Sequence, residues 1–324
     1  MSRFLRSEAG AVVLWVCGSL LLAAVLAPWI YQAGMNLAAA AAEKELPGVL
    51  EWLGAACERS THKFGRFFNR SLMLSALVLL PLLWRRVRAI SRGGSIMGDL
   101  RPVSPRDVCL QVVCGCLIAG GLLWLTGILL ASAGAYQPRI PEPALGKVLR
   151  KTLVPGVAAP LVEEWLFRGV LLGLWLRFAR PAAACVGTSL VFAFLHFLDP
   201  PSGTVIADPT APTAGFELLG KILLHFADPV FFVTDFATLF LVGWILARAR
   251  VRTMALWFPM GLHAGWVATF KSHSLIYQKA AGHPLFPWGV GDSLRSGAIP
   301  LAVLVLTAVA CHFALLRLGR REQV

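Results

Sequence analysis

The sequence has little charge and few acidic residues. Only 15% of its 324 residues are Asp, Glu, Lys or Arg, and Asp and Glu together number 17. An average soluble domain is about 25% charged. A chain of this length with so few charged groups cannot cover a globular surface, and disordered segments are also rich in charge. Disordered, fibrous and ordinary soluble classes are therefore excluded.

Cysteine pairs with a functional spacing are also missing. The seven cysteines include no CxxC pair. Six of them lie inside apolar runs: Cys17, Cys109, Cys114, Cys116, Cys185 and Cys311. Cysteines in such runs are typical of small buried hydrophobic residues. The cysteines therefore indicate no disulfide framework.

Apolar residues are abundant. They make up 57% of the chain, and the mean hydropathy is +0.70. A helix that spans a bilayer needs about 20 mostly apolar residues. Candidate stretches cover residues 10–34, 67–84, 108–134, 152–176, 182–198, 229–247, 253–270 and 296–316. We therefore predict an all-α polytopic membrane protein with about eight transmembrane helices, and an amphipathic outer segment over 36–66.

The net charge of +13 follows the predicted topology. With the N-terminus in the cytoplasm, the inner segments carry Lys and Arg at roughly threefold the density of the outer ones, as the positive-inside rule requires. These inner segments are 1–9, 85–107, 177–181, 247–252 and 317–324. We predict that both termini are cytoplasmic, that the protein lies in a bacterial-type cell membrane, and that it has no nucleic-acid partner.

Few ionisable residues lie within the predicted spans, where such groups are costly and usually functional. They include Glu163, Glu164 and Arg168 in the fourth span, His196 in the fifth and His263 in the seventh. At 1.5 Å per residue, Glu163, His196 and His263 lie roughly 16–22 Å from the cytoplasmic ends of their spans. We predict that these three residues converge on an intramembrane polar cavity.

Spacing predicts separate roles for the two glutamates. Glu164 and Arg168 are four residues apart with the acid first, which favours a helical ion pair. Glu163 lies about 100° around the helix from Glu164 and is expected to act apart from that pair, as a general acid or base. His312 lies only five residues before Arg317 and is expected near the inner membrane surface.

One glutamate and two histidines permit two chemistries. In the first, Glu163 takes a proton from water while the histidines orient the water or polarise a carbonyl group. In the second, Glu163, His196 and His263 bind Zn²⁺ and leave an open position for water. Glu164 would then become a candidate base. The sequence does not choose between a divalent metal and a metal-free Glu/His mechanism.

Three motifs in chain order resemble the CPBP family, the CAAX-protease and bacteriocin-processing membrane proteins also called Abi. The family signature is EExxxR on one helix, FxxxH on the next and HxxxN or HxxxD on a later one. The matching residues here are Glu163, Glu164 and Arg168, then Phe192 and His196, then His263. The resemblance covers about residues 152–270. It divides a single integral-membrane domain into an N-terminal membrane region (1–151), a catalytic core (152–270) and a C-terminal loop with the last span (271–324).

The resemblance implies an intramembrane endopeptidase, similar to the type II CAAX prenyl endopeptidases that remove the last three residues of prenylated proteins. In that family the first glutamate and the middle histidine are taken to activate water, and the later histidine to stabilise the oxyanion. These roles would fall to Glu163, His196 and His263. The substrate would be a membrane-embedded or lipidated protein.

The chain departs from the family at Val267, where the family has Asn or Asp. Valine neither donates a hydrogen bond nor binds a metal. Either the Trp266 indole N–H or the Thr269 hydroxyl replaces the missing donor, or the chemistry is weaker, altered or absent. A non-catalytic scaffold or self-immunity protein therefore remains an alternative, and a transporter that uses the same polar cavity is another.

Overall fold

The computed structural model describes residues 7–43, 47–58, 63–90, 100–177, 179–198, 200 and 203–321. The helices are α1 (Glu8–Glu43), α2 (Gly48–Glu58), α3 (Phe64–Ile90), α4 (Pro105–Ser132), α5 (Leu145–Glu163), α6 (Leu172–Leu176), α7 (Pro181–His196), α8 (Ala214–His225), α9 (Pro229–Phe231), α10 (Ala237–Thr253), α11 (Trp257–Ile276) and α12 (Ala298–Arg321). Strands β1 (Tyr136–Pro138) and β2 (Tyr277–Lys279) pair antiparallel, with Gln137 opposite Gln278.

Within the described residues, two π-helical segments interrupt the α-helical geometry. One covers Glu164–Leu171 between α5 and α6, and the other covers Phe232–Phe236 between α9 and α10. Each continues directly from the helix before it into the helix after it. The predicted spans 152–176 and 229–247 therefore each contain a π-helical turn.

Five helical segments within the described residues are long and apolar enough to cross a membrane. They are Gly10–Glu43, Phe64–Ile90, Pro105–Ser132, Pro229–Thr253 and Ala298–Leu316, and each corresponds to a predicted span. The predicted span 182–198 corresponds to the shorter apolar helix α7. The predicted spans 152–176 and 253–270 correspond to α5–α6 and α11, which carry the buried residues Glu164, Arg168 and His263. The polytopic all-α class is confirmed, and the count of eight spans remains a prediction.

The chain forms two compact units. Unit 1 comprises Met1–Gly93 and His196–Asp228, and unit 2 comprises Gly94–Leu195 and Pro229–Val324. In unit 1, α1 packs against α3, and the ring of Tyr31 meets those of Phe64 and Phe67 edge to face at 5.7 and 5.1 Å. Edge-to-face aromatic contacts add to the burial of the rings.

In unit 2, α4 and α11 approach through glycines. A Cβ atom at Gly261 would collide with the Val112 carbonyl oxygen, and one at Gly265 would lie 2.5 Å from the Cys116 carbonyl oxygen. Small residues four apart let two helix backbones come this close. His263 lies between the two glycines in sequence, so its position is set by backbone contacts on both sides.

Candidate active site

The two glutamates lie where α5 changes into the π-helical turn. Glu163 is the last residue of α5, and Glu164 is the first of the π-helical segment. At the other end of that segment, the Leu172 N–H donates to the Phe167 carbonyl, five residues earlier. Single π turns inside helices are frequent at functional sites. The wider turn therefore lies at the EExxxR motif, which the sequence predicts to be functional.

Glu164 and Arg168 form the predicted ion pair. Arg168 Nη1 lies 2.9 Å from Glu164 Oε1, and both side chains are fully buried. Arg168 Nη2 donates to the Gly243 carbonyl at 3.2 Å, and the guanidinium lies 4.3 Å from the centre of the Phe192 ring. A buried ion pair needs such additional partners because its desolvation is expensive.

His263 joins this pair through its Nδ1 atom. Nδ1 lies 2.8 Å from Glu164 Oε1, and the histidine is only 6% exposed. On the other side of the ring, Nε2 lies 3.9 Å from Glu163 Oε2. The two consecutive glutamates therefore meet opposite nitrogens of one imidazole. The Glu163 side chain is 27% exposed and that of Glu164 is fully buried, so the two acids occupy different environments.

We call Glu163, Glu164, Arg168 and His263 the Glu–Arg–His cluster. The predicted supporting residues lie close to this cluster or on α11 with His263. The Phe192 ring centre is 6.2 Å from that of His263. Trp266 is 6% exposed, and its indole N–H has no hydrogen-bond partner among the described residues. Thr269 Oγ1 already donates to the Gly120 carbonyl at 3.2 Å. Of the two predicted replacement donors, Trp266 therefore has the uncommitted group. Val267 is 9% exposed.

His196 is the last residue of α7, four residues after Phe192. The division between the two units falls between Leu195 and His196, so His196 belongs to unit 1 and the cluster to unit 2. The convergence of His196 with Glu163 and His263 remains a prediction.

The donor set bears on the metal alternative. Within the described part of the chain, no group of three or more His, Cys, Asp or Glu residues is placed to hold a metal ion. Catalytic zinc sites use three protein ligands, and in unit 2 Glu163 Oε2 and His263 Nε2 are the two potential ligands that face each other. Two ligands do not fit zinc, so the metal alternative depends on His196.

A groove of about 650 Å³ opens between α5 and α11, the helices that carry Glu163 and His263. Its lining is Arg150, Lys151, Val154, Pro155, Lys271, Ser274 and Leu275. None of these residues is acidic. The groove provides a basic, partly apolar surface on the same two helices as the cluster.

Sequence reasoning missed residues that hold the cluster in place. Gly243 provides the second acceptor for Arg168, and no feature of the sequence points to this backbone carbonyl. Gly261 and Gly265 bring α11 against α4. Their GxxxG spacing is a recognisable helix-contact motif and was the signal that could have found them.

The fold and the cluster define a class, a polytopic helical membrane protein whose helices bury a Glu–Arg–His network. Residues 146–269 match the family model described as "Rce1-like: Type II CAAX prenyl endopeptidase Rce1-like". This match covers the part of the chain that carries the three motifs, so the resemblance predicted from those motifs is confirmed. No match was found among curated proteins or among solved structures.

Proposed function

We propose that this protein is an intramembrane endopeptidase that hydrolyses a peptide bond of a membrane-associated or lipidated protein. The observation that carries the proposal is the arrangement around His263, with Glu164 at Nδ1 and Glu163 facing Nε2. The family match over residues 146–269 supports the same class of reaction. We place both termini in the cytoplasm of a bacterial-type cell.

Glu163 is the general base in this mechanism because it is the more exposed of the two acids and lies outside the Arg168 ion pair. Its carboxylate takes a proton from water as the water oxygen attacks the peptide carbonyl carbon, and His196 orients that water. Glu163 then passes the proton to the leaving nitrogen, and the C–N bond breaks. A positioned carboxylate in this role contributes about 10²–10⁴-fold to the rate.

His263 stabilises the oxyanion in this mechanism. With Nδ1 held by Glu164, the Nε2 side of the ring is turned toward the developing oxyanion. The buried Trp266 indole N–H is the second donor and replaces the Asn or Asp that the family has at Val267.

The test is cleavage of a co-expressed membrane peptide reporter by the wild type and by Glu163→Gln. Glutamine keeps the size of glutamate but cannot take the proton, so we expect a loss of about 10²–10⁴-fold in cleavage with an unchanged melting temperature. Glu142→Gln, which makes the same change at an exposed glutamate outside the cluster, is the matched control. Equal cleavage by the wild type and Glu163→Gln would remove Glu163 from the mechanism.

Metal analysis of the purified protein, paired with a chelator, separates the two ways of activating water. Activity that survives chelation supports activation by Glu163 and His196 alone. Activity that disappears on chelation and returns with Zn²⁺ would assign Glu163, His196 and His263 as ligands instead.

A second candidate function, a non-catalytic scaffold or self-immunity protein, is favoured by the buried apolar side chain of Val267. Trp266→Phe tests it because phenylalanine keeps an aromatic ring but lacks the N–H. We expect a loss of about 10²-fold in cleavage if the indole donates to the oxyanion. If Glu163→Gln and His196→Gln both keep full cellular function, the non-catalytic alternative is correct.

A further inference from the structure

A second polar groove lies between the C-terminal part of α10 and the facing surface of α12. It encloses about 130 Å³. Its lining is Trp244, Ile245, Arg248, Ala249 and Arg252 from α10, and Ala308, Cys311, His312 and Leu315 from α12. All of these residues belong to unit 2, and none belongs to the Glu–Arg–His cluster.

The groove exists because small residues face each other across the two helices. The lining residues of each helix are spaced three and four apart, so each set forms one stripe. Ala249 and Cys311 are buried, and Ala308 is partly buried, so the space between the stripes stays open beneath the longer side chains. Arg248 and Arg252 are one turn apart on the same stripe.

The charge of the groove has one sign. It is lined by two arginines and one histidine, and α10 and α12 contain no Asp or Glu over residues 237–253 and 298–321. The Arg248 guanidinium lies 5.8 Å from the centre of the Trp244 ring, a cation–π geometry that leaves its N–H groups available. Arg252 and His312 are exposed at the mouth of the groove.

The groove lies near the C-terminal ends of two segments that could cross a membrane. Pro229–Thr253 and Ala298–Leu316 are both long and apolar enough to span a bilayer. Arg248 and Arg252 lie in the last two turns of α10, before the chain leaves the helix at Met254 in a left-handed conformation. A tryptophan and arginines at such a boundary lie at the level of the lipid headgroups.

We propose that this groove binds the phosphate of an anionic phospholipid headgroup. Arginine forks match phosphate oxygens, and basic pockets between transmembrane helices hold anionic headgroups. A lipid is favoured over a free anion because Trp244, Ile245 and Leu315 provide an apolar wall that continues into the span, where acyl chains would lie. The site is independent of the proposed peptidase function.

The experiment measures binding of a short-chain phosphatidylglycerol to the purified full chain in neutral detergent, with phosphatidylcholine and inorganic phosphate as separate probes. In Arg248→Gln/Arg252→Gln, we expect phosphatidylglycerol to bind about 10- to 30-fold more weakly than in the wild type, since each cation near the surface contributes about 1 kcal/mol. The matched control is Arg106→Gln/Lys147→Gln, which removes two exposed cations outside the groove.

A steric variant keeps the proposal falsifiable if the double variant folds poorly. Ala308→Leu fills the groove and keeps all three basic side chains, so it should also weaken phosphatidylglycerol binding. An equal loss in the Arg106/Lys147 control would show that only general surface charge matters and would overturn the site. Inorganic phosphate or phosphatidylcholine that competes as well as phosphatidylglycerol would overturn the assignment to an anionic lipid.

Discussion

Helix α11 buries two histidines, ten residues apart, in opposite surroundings. His263 is 6% exposed and faces two carboxylates, one of which is paired with Arg168. His273 is 8% exposed and lies against aromatic rings, 4.7 Å from the ring centre of Tyr136 and 4.8 Å from that of Tyr277. The two imidazoles are therefore buried to a similar degree but lie in different electrostatic environments.

The difference shows what burial without a carboxylate partner does to a histidine. His273 lies beyond the predicted span 253–270, and burial lowers its pKa to about 4, against an ordinary value of about 6.5. Its imidazole is therefore neutral at neutral pH. His263 is equally buried, but Glu164 supports its Nδ1–H and Glu163 faces Nε2. Of the two histidines, only His263 has a carboxylate on each side of its ring.

The largest expected effect comes from removing the cation behind His263. Arg168→Gln leaves the Glu164 carboxylate buried without its ion-pair partner, so we expect a loss of about 3–5 kcal/mol in the free energy of unfolding. Chemical denaturation of the protein in detergent measures it. This change would remove the balanced charges that distinguish the surroundings of His263 from those of His273, and would destabilise that part of the protein.

The control for Arg168→Gln is the double variant Glu164→Leu/Arg168→Leu. It removes both charges together and is expected to destabilise less than Arg168→Gln alone, because no charge is left buried and unpaired. A loss for the double variant that equals or exceeds the single loss would contradict this account of the pair.

An intermediate effect is expected at two glycines in the contact between α4 and α11, Gly265 near His263 and Gly127 against His273. Gly265→Ala places a Cβ 2.5 Å from a backbone oxygen, whereas at Gly127 the Cβ would lie 2.8 Å from the His273 ring and 2.9 Å from the Leu294 side chain. Backbone atoms cannot move aside as side chains can. We expect Gly265→Ala to cost about 1–3 kcal/mol and Gly127→Ala about 1 kcal/mol or less.

Thermal unfolding and reporter cleavage measure this pair of variants together. Gly265→Ala should also reduce cleavage because it displaces His263, and Gly127→Ala should leave cleavage near the wild-type level. Loss of cleavage in Gly127→Ala without loss of stability would show that the surroundings of His273 also contribute to the active site.

The smallest effect is a pH dependence at His273. Because its pKa is lower in the folded protein than in the unfolded chain, the unfolded chain binds the additional proton between about pH 6.5 and pH 4. Stability should therefore fall as the pH falls through that window. His273→Phe keeps an aromatic ring but does not titrate, so its melting temperature should fall less over the same window. An unchanged pH profile would show that His273 is not the titrating group.

Local parts of the site follow from the sequence, and long-range parts do not. The four-residue spacing predicts the Glu164–Arg168 pair, and the apolar runs predict the helices that carry it. The contact between Glu164 and His263 joins residues 99 apart, and it depends on how α11 packs against its neighbours. Gly243 contributes only a backbone carbonyl, which no residue pattern marks. The same dependence on packing leaves the position of His196 as a prediction.

The π-helical segment Glu164–Leu171 makes the site sensitive to the number of residues as well as to their identity. A π turn closes its hydrogen bond over five residues instead of four, so it holds one more residue than the α-helical turn it replaces. Deleting one residue between 165 and 171 would restore the shorter turn, so the remaining residues of the segment would shift by one position relative to Glu163 and to the helix beyond. Two chains could then share every motif residue and still differ in the site, because one has a helix that is one residue shorter.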